Sequence, residues 1–233
     1  AAASTPEDSA RVVRLLGEGR GVAVADRFMF YARCLEGTPY VGHTLEVSPD
    51  CVERLEVNMR EMDCTTYIEN VMALALATDS GTYAEFCRQL RRVRYRDGVL
   101  DGYASRNHYF AQWVESAQRQ GLASAVDCGD AVQVLNIDYM TRNRNMYRGI
   151  RTDNGQYALV RRYERETSGK RVRYFTREAL RKADADADNG ALRKAVRTGD
   201  ILGIVTRKAG LDTTHLGIAV WGKDGKLHLL NAS

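Results

Sequence analysis

The sequence predicts a single domain of the α+β class, with helices first along the chain and antiparallel strands last. Two observations support this. Apolar residues at helical spacing dominate the first half, whereas short runs rich in branched and aromatic residues dominate the second. The last two of these runs are joined by Gly222-Lys223-Asp224-Gly225, a turn sequence typical of a hairpin.

The helices are predicted from start signals and spacing. Thr5 supplies an N-cap hydroxyl and Pro6 suits the first helical position, so a helix should run to about Leu16. The most regular helical pattern starts at Cys64, with Asp63 as its N-cap. Its end is expected near residue 77, and further helices are expected at 22–35, 82–93 and 107–120.

Strands are predicted at 132–139, 156–163, 201–206, 215–221 and 226–231. The predicted helices and strands divide the single domain into four parts. They are N-terminal helices in residues 1–36, a turn and helix in 37–78, an insertion in about 80–198, and the final strands in 199–233.

Composition narrows the class of partner. The 233 residues carry a net charge of +4, which is too mild for a dedicated nucleic-acid binder. Two Arg-rich stretches, 142–151 and 161–173, are interpreted as solvated surface, because acidic residues interrupt the second. The longest run without Asp, Glu, Lys or Arg, at 213–222, is about half as long as a membrane-spanning helix, so no membrane span is expected.

No metal site and no cofactor are expected. The stretch from Asp184 to Gly190 resembles the start of a calcium loop, but the required glycine and final glutamate are missing. It is interpreted as a solvated loop or a helix start. Of the 5 cysteines, four could form up to two disulfides in an oxidising compartment, with the pairing open: Cys34, Cys51, Cys87 and Cys128.

Cys64 is the strongest nucleophile candidate among the cysteines. In the first turn of a helix, a cysteine meets unpaired backbone N–H groups, which favour the thiolate. The nucleophile also needs an imidazole as base and a third group to orient that imidazole. His215 opens an apolar strand, and the strand after the hairpin would bring Asn231 beside it. His228 should face the other side of the sheet.

A resemblance to a known family follows from the order of these residues. The sequence contains Gly37-Thr38-Pro39-Tyr40, Asp63-Cys64-Thr65-Thr66, Gly199-Asp200-Ile201, Thr214-His215-Leu216-Gly217-Ile218 and Asn231-Ala232-Ser233. In these segments the chain resembles the NlpC superfamily of papain-like cell-wall cysteine hydrolases. Within it, the chain is most similar to the N-acetylmuramoyl-L-alanine amidase-like branch.

The resemblance implies a papain-like fold, with an antiparallel sheet packed on helices and a large insertion between the cysteine and histidine motifs. It implies that Cys64 is the nucleophile, that His215 is the general base and acid, and that Asn231 orients the imidazole. The backbone N–H of Cys64 and a contact from Tyr40 would hold the oxyanion, and Asp63 belongs to the same motif.

The insertion carries a second match to this branch. Arg106-Asn107-His108-Tyr109 resembles a segment of the branch's insertion. The resemblance implies that Arg106, His108 and Tyr109 bind substrate. For Tyr109, packing in the core at helical spacing is the alternative.

The resemblance implies an amidase that cuts the bond between N-acetylmuramic acid and L-alanine in peptidoglycan fragments. Two alternatives remain open at this point. One is an endopeptidase that cuts the D-glutamyl to diamino-acid bond of the stem peptide, and the other is a binding module that holds cell-wall material without cutting it. Peptidoglycan fragments are the expected partner, a monomer is assumed, and a periplasmic or exported location is expected, since the small residues at the start fit signal cleavage.

Overall fold

The computed structural model describes residues 2–46, 50, 52–185 and 190–233, with the backbone alone for residues 184 and 185. Its helices are α1 (Pro6–Gly19), α2 (Arg27–Cys34), α3 (Cys64–Ala77), α4 (Tyr83–Arg94), α5 (Phe110–Arg119), α6 (Tyr139–Arg142), α7 (Arg148–Arg151), α8 (Asn154–Thr167), α9 (Arg177–Ala185) and α10 (Gly190–Ala195). Its strands are β1 (Ala131–Val134), β2 (Arg171–Tyr174), β3 (Ile201–Val205), β4 (Thr213–Trp221) and β5 (Leu227–Leu230). Helices with small antiparallel sheets confirm the predicted class.

The three C-terminal strands form one antiparallel sheet in the order β3-β4-β5. Ile218 of β4 pairs with Ile201 on one side and with Leu230 on the other, and its side chain is fully buried. The turn 222–225 closes the hairpin, and Gly225 has φ 76°, which glycine adopts without strain. The three strands predicted at this end of the chain are confirmed.

Helix α1 follows its capping signals. The hydroxyl of Thr5 accepts a hydrogen bond from the N–H of Asp8, and the Asp8 carboxylate accepts one from the N–H of Thr5. Asp8 also accepts from the N–H of Met59 and from the Arg60 guanidinium, which fastens α1 to the segment before α3. Burial would raise the pKa of Asp8, but these hydrogen bonds outweigh it and lower the pKa.

Helix α3 lies at the centre of the main hydrophobic core. Helices α1, α2 and α4 pack on it, and β4 lies against another of its sides. Most of its residues are therefore buried, and apolar residues occupy nearly its whole circumference. Ile68, Val71 and Leu74 share this core with Leu216 and Ile218 of β4. This packing fixes the N-terminus of α3 against the start of β4.

A buried ion pair ties α3 to α4. Arg94 donates to Glu69 at 2.7 Å, and both side chains are 2% exposed. Arg94 also donates to the carbonyl of Glu56. Burial raises the pKa of Glu69, while the guanidinium opposes that shift. Removing one partner would leave a buried charge without compensation.

The insertion corrects one predicted strand. Residues 156–163 lie inside α8, where the carboxylate of Asp153 caps the helix by accepting from the N–H of Gln156 at 2.9 Å. Tyr157 and Val160 face one core at helical spacing. The aromatic and branched composition of this segment concealed that period, so the strand prediction was wrong.

Three further boundaries differ from the sequence prediction, the first being the helix expected at 22–35, which is α2 (Arg27–Cys34) preceded by a short 3-10 turn. The strand predicted at 132–139 is confirmed only as β1, which pairs antiparallel with β2. The helix predicted at 107–120 begins at Phe110, because the N–H of Asn107 donates to the carbonyl of Arg94. An antiparallel bridge between Tyr95 and Arg106 keeps the segment before α5 extended.

The acidic stretch 184–190 lies mostly outside the described residues. The second Arg-rich stretch is surface, as interpreted: Arg162 is exposed, lies over the ring of Tyr163 and faces Glu166. Among the helices described, none has the length and apolar character needed to cross a membrane.

Candidate functional site

Cys64 is the first residue of α3, as predicted. The preceding Asp63 caps the helix, since its Oδ1 accepts from the N–H groups of Thr65 and Thr66 at 3.0 and 2.7 Å. The hydroxyl of Thr66 accepts in return from the N–H of Asp63, which completes a capping box. The carboxylate of Asp63 is therefore engaged in holding the helix end that carries the thiol.

The environment of the Cys64 thiol works against the thiolate in the resting protein. Burial is the main cause and raises the pKa of the thiol. The charge of Asp63 raises it further, whereas the N–H groups of Leu216 and of Cys64 itself oppose the rise. The helix N-terminus favours the thiolate as expected, but the expectation of a lowered pKa is corrected, because burial outweighs it.

His215 and Asn231 meet on the sheet, as the hairpin predicted. Nε2 of His215 lies 2.8 Å from Oδ1 of Asn231. Nδ2 of Asn231 donates to the carbonyl of Leu229 at 3.0 Å, and this bond sets the orientation of the amide. Oδ1 can only accept, so Nε2 carries the proton, and in neutral His215 Nδ1 is a free acceptor.

Strand β4, which carries His215, packs against α3, which carries Cys64. The β3–β4 register shifts by one residue between Ile204 and Val205. The regular pairing therefore skips Thr214, the residue just before His215. The next residue, Leu216, offers its backbone N–H to the Cys64 thiol. No sequence pattern predicts this approach of the backbone to the thiol, because it arises from the packing of α3 on β4.

His228 lies apart from this pair. Its Nε2 is 3.0 Å from a carboxylate oxygen of Asp224 in the hairpin turn. His228 pairs with Val220, which lies five residues after His215 on β4. Because side chains alternate between the two faces of a strand, His228 points to the side of the sheet opposite His215, as predicted.

Tyr40 pairs with the segment that leads into α3. A parallel bridge joins Tyr40 to Met62, two residues before Cys64. Its side chain is 47% exposed, and its pKa is raised, first by burial and then by the charges of Cys64 and Asp63. The phenol is thus both near the thiol and reachable from solvent.

Arg106 lies in a separate pocket whose acidic partners the sequence analysis missed. Its guanidinium donates to Glu53 at 2.7 and 3.1 Å and to Glu46 at 3.2 Å, and it lies over the ring of Tyr103. Two carboxylates thus neutralise its charge. Their spacing of more than 50 residues from Arg106 left no local pattern to reveal them.

His108 is neutral in the folded protein. Its Nε2 lies 2.8 Å from the carbonyl of Tyr103, so that nitrogen carries the proton. Burial, followed by the charge of Arg106, lowers the pKa of His108 to about 3. Any contribution to substrate binding would therefore come from a neutral ring.

Tyr109 lies in the core, the position that its packing alternative predicts. Its side chain is 3% exposed and its hydroxyl donates to Glu164 at 2.6 Å. Buried Glu164 also accepts from the N–H groups of Met140 and Thr141. Tyr109 thus links α5 to α6 and α8 and is closed to a ligand.

The remaining thiols are unpaired. Cys34, Cys87 and Cys128 are free, and Cys51 lies outside the described residues. The structure therefore shows no disulfide among these three described thiols. In the described part of the chain, no cluster of histidine, cysteine and acidic side chains could hold a metal ion.

A thiol at a helix N-terminus, next to a strand that carries a histidine held by a polar partner, is an arrangement that recurs in acyl-transfer hydrolases. The comparisons with known proteins agree with this class. The AmiA-like family, described as N-acetylmuramoyl-L-alanine amidase-like, matches residues 31–233. The chain belongs to this family.

Solved structures share the fold. An N-acetylmuramoyl-L-alanine amidase from Bacteroides uniformis is 34% identical, with a TM-score of 0.78, over 90% of this chain and 85% of that one. A Bacteroides fragilis protein provisionally described as a xylanase is 37% identical, with a TM-score of 0.77, over 88% and 86%. A Legionella pneumophila protein at 21% identity and a TM-score of 0.67, over 97% and 84%, shows the fold alone. No curated protein matches the sequence.

Proposed function

We propose that this protein is a cysteine amidase of the papain-like NlpC superfamily, hydrolysing the N-acetylmuramoyl to L-alanine bond of peptidoglycan fragments. Cys64 is the nucleophile, His215 the general base and acid, and Asn231 the orienting residue. One observation carries the proposal. His215 is hydrogen-bonded to Asn231 through Nε2, and the backbone N–H of the next residue along β4 lies near enough to the thiol to lower its pKa.

The first half of the reaction forms a thioester. Because the pKa of Cys64 is raised, the thiol gives its proton to Nδ1 of His215 as sulfur attacks the carbonyl carbon, rather than starting as a preformed thiolate. The carbonyl π electrons move to oxygen, giving a tetrahedral oxyanion. When this intermediate collapses, His215 returns the proton to the leaving L-alanine nitrogen, and the C–N bond breaks.

The second half hydrolyses the thioester. Water attacks the thioester carbonyl while Nδ1 of His215 accepts its proton, and the C–S bond then breaks with the proton passing to sulfur. The products are the carboxylic acid of the muramoyl group and the free thiol. In both halves, Asn231 stabilises the imidazolium by accepting from Nε2.

The oxyanion needs donors next to Cys64. The backbone N–H of Cys64 is free for this role at the first position of α3, because a helix leaves its first N–H groups without internal partners. The exposed phenol of Tyr40 supplies a second donor. Asp63 acts indirectly, by holding this end of the helix in place.

Amide cleavage fits the side chains better than the glycoside cleavage that the xylanase description of one neighbour would require. Glycosidases use a pair of carboxyl groups on either side of the scissile bond. Here the carboxylate next to the thiol is that of Asp63, which accepts two backbone N–H groups as a helix cap.

The decisive experiment is mass spectrometry of defined muropeptides after incubation with wild type, Cys64→Ala and a matched Cys87→Ala control. Wild type and Cys87→Ala should release the muramic acid sugar as one piece and an intact L-alanine-headed peptide as the other. Cys64→Ala should fold normally and release neither. Cleavage inside the stem peptide would instead establish the endopeptidase, and cleavage by Cys64→Ala would overturn the nucleophile assignment.

The raised pKa of Cys64 favours a second candidate, a module that binds cell-wall peptide or sugar without cutting it. The two candidates differ in thiol reactivity. An enzyme in which His215 accepts the proton should alkylate at Cys64 faster than a His215→Ala variant near neutral pH, whereas a binding module should show equal, slow alkylation in both. Either activity on peptidoglycan fragments would take place in the periplasm or outside the cell.

A further inference from the structure

A cleft in the insertion lies away from the residues assigned above. Its volume is about 460 Å³, and it opens between α6 and α8. Tyr157, Arg161, Glu164 and Arg165 form the α8 wall, and the opposite wall comes from residues 137–142. The four α8 residues follow helical spacing, so they lie on one face of that helix.

The acidic groups of this cleft are already engaged. Glu164 is 2% exposed and accepts hydrogen bonds from the Tyr109 hydroxyl and from the N–H groups of Met140 and Thr141. Asp138 accepts from Arg142 at 2.6 Å. Each carboxylate therefore already has donors other than the guanidinium groups on α8.

Two arginines of the cleft have no partner of opposite charge. Arg161 and Arg165 are exposed, and within the part of the chain that the structure describes neither forms an ion pair or a side-chain hydrogen bond. They are four residues apart on α8, where like charges repel each other, and Arg142 adds a third guanidinium across the cleft. By contrast, Arg162 faces Glu166 and Tyr163 and does not line the cleft.

We propose that this cleft binds the oxyanion of a ligand, a carboxylate or a phosphate, through Arg161 and Arg165. Guanidinium groups are suited to this, because their planar N–H pairs match both oxyanions. The stem peptide of a muropeptide is one source of carboxylates, and free phosphate is another. The stem peptide as the ligand rests on the proposed function, whereas the binding of an oxyanion in this cleft does not.

Chain geometry permits the stem peptide to reach the cleft. The N–H of Asp138 donates to the carbonyl of Gly210, which is five residues before His215. Five extended residues span at most about 18 Å, and a tripeptide spans roughly 10 Å plus its side chains. The Asp138 end of the cleft therefore lies within roughly 20 Å of His215, a distance comparable to the length of a stem peptide with its side chains.

The test compares the Arg161→Gln/Arg165→Gln double variant with Arg162→Gln, a matched control on the same helix. Titration with inorganic phosphate and with the free stem tripeptide, followed by calorimetry, should show binding to wild type and to Arg162→Gln, with at least tenfold weaker binding to the double variant. Raising the salt concentration should weaken binding to wild type more than to the double variant. Thermal melts of all three proteins check that the fold is kept.

Kinetics on the muropeptide distinguish the two sources. If the stem carboxylate is the ligand, the double variant should raise KM about tenfold with kcat nearly unchanged, while Arg162→Gln behaves as wild type. Phosphate binding without any change in KM would support the oxyanion site with free phosphate as its ligand. Equal binding of both probes to all three proteins would refute the site. Failure of wild type to cleave any fragment would count against the proposed amidase only, because the titrations still decide this proposal.

Discussion

Changing Asp63 separates two effects that this residue has on the thiol of Cys64. The Asp63→Asn variant keeps an oxygen that can accept from the N–H groups of Thr65 and Thr66 but removes the negative charge. Asp63→Ala removes both the acceptor and the charge. Comparing the two therefore isolates the cap from the electrostatic effect on the thiol.

The cap sets the expected loss of stability. Oδ1 of Asp63 accepts from two backbone N–H groups, at 3.0 and 2.7 Å, and from the Thr66 hydroxyl at 2.9 Å. Losing an N-cap costs about 1 kcal/mol and up to about 2, and losing a negative charge at a helix N-terminus costs about 0.3–1 kcal/mol more. We expect Asp63→Ala to lower the free energy of unfolding by about 1–3 kcal/mol and Asp63→Asn by less than about 1 kcal/mol.

The charge sets the expected change in reactivity. Burial is the main cause of the raised pKa of Cys64, and the Asp63 carboxylate adds to it. Both variants remove that second cause, so the thiol pKa should fall, and alkylation by iodoacetamide at pH 7.5 should become faster than in wild type. Asp79→Asn, the same change near the opposite end of α3 at an 80% exposed side chain, serves as the control and should leave the rate unchanged.

Urea unfolding measures the first effect, and the pH dependence of the alkylation rate measures the second. Equal destabilisation by Asn and Ala would show that the oxygen of Asp63 does not cap α3. An unchanged or slower alkylation rate in Asp63→Asn would show that the carboxylate does not hold the thiol in its protonated form.

Three further predictions follow from the contacts described. Asn231→Ala removes one hydrogen bond to His215, worth about 1–1.5 kcal/mol, so kcat on the muropeptide should fall roughly 5- to 15-fold with KM unchanged; an equal kcat would exclude an orienting role. Glu69→Gln and Arg94→Met should each lower the free energy of unfolding by about 3–5 kcal/mol in urea. The double variant should lower it by less than the sum of the two, and additive losses would contradict a coupled pair. The pKa of His108 is lowered to about 3, so below pH 6.5 the unfolded chain binds a proton at this residue that the folded chain does not. The free energy of unfolding of wild type should therefore fall by about 2 kcal/mol between pH 7 and pH 5 because of this group. In urea unfolding at the two pH values, His108→Gln should lack that decrease.

The sequence predicted those features that depend on residues close together along the chain. Capping at Thr5 and Asp63 follows from residues within four positions of each other, and the hairpin turn brings Asn231 back to His215. The C-terminal strands and the helix carrying Cys64 could therefore be predicted from the sequence. Segment 156–163 was misread because its aromatic and branched residues suit a strand in composition, although their spacing is helical.

The sequence by itself determined which residues can carry chemistry, and it placed Cys64 on a helix and His215 on a strand. Only the tertiary structure decided how each of them is used. Burial raises the pKa of Cys64, the distant Glu53 neutralises Arg106, and Tyr109 is closed within the core. These outcomes depend on desolvation and on charges brought together from distant parts of the chain, and a spacing pattern within one segment carries no information about either.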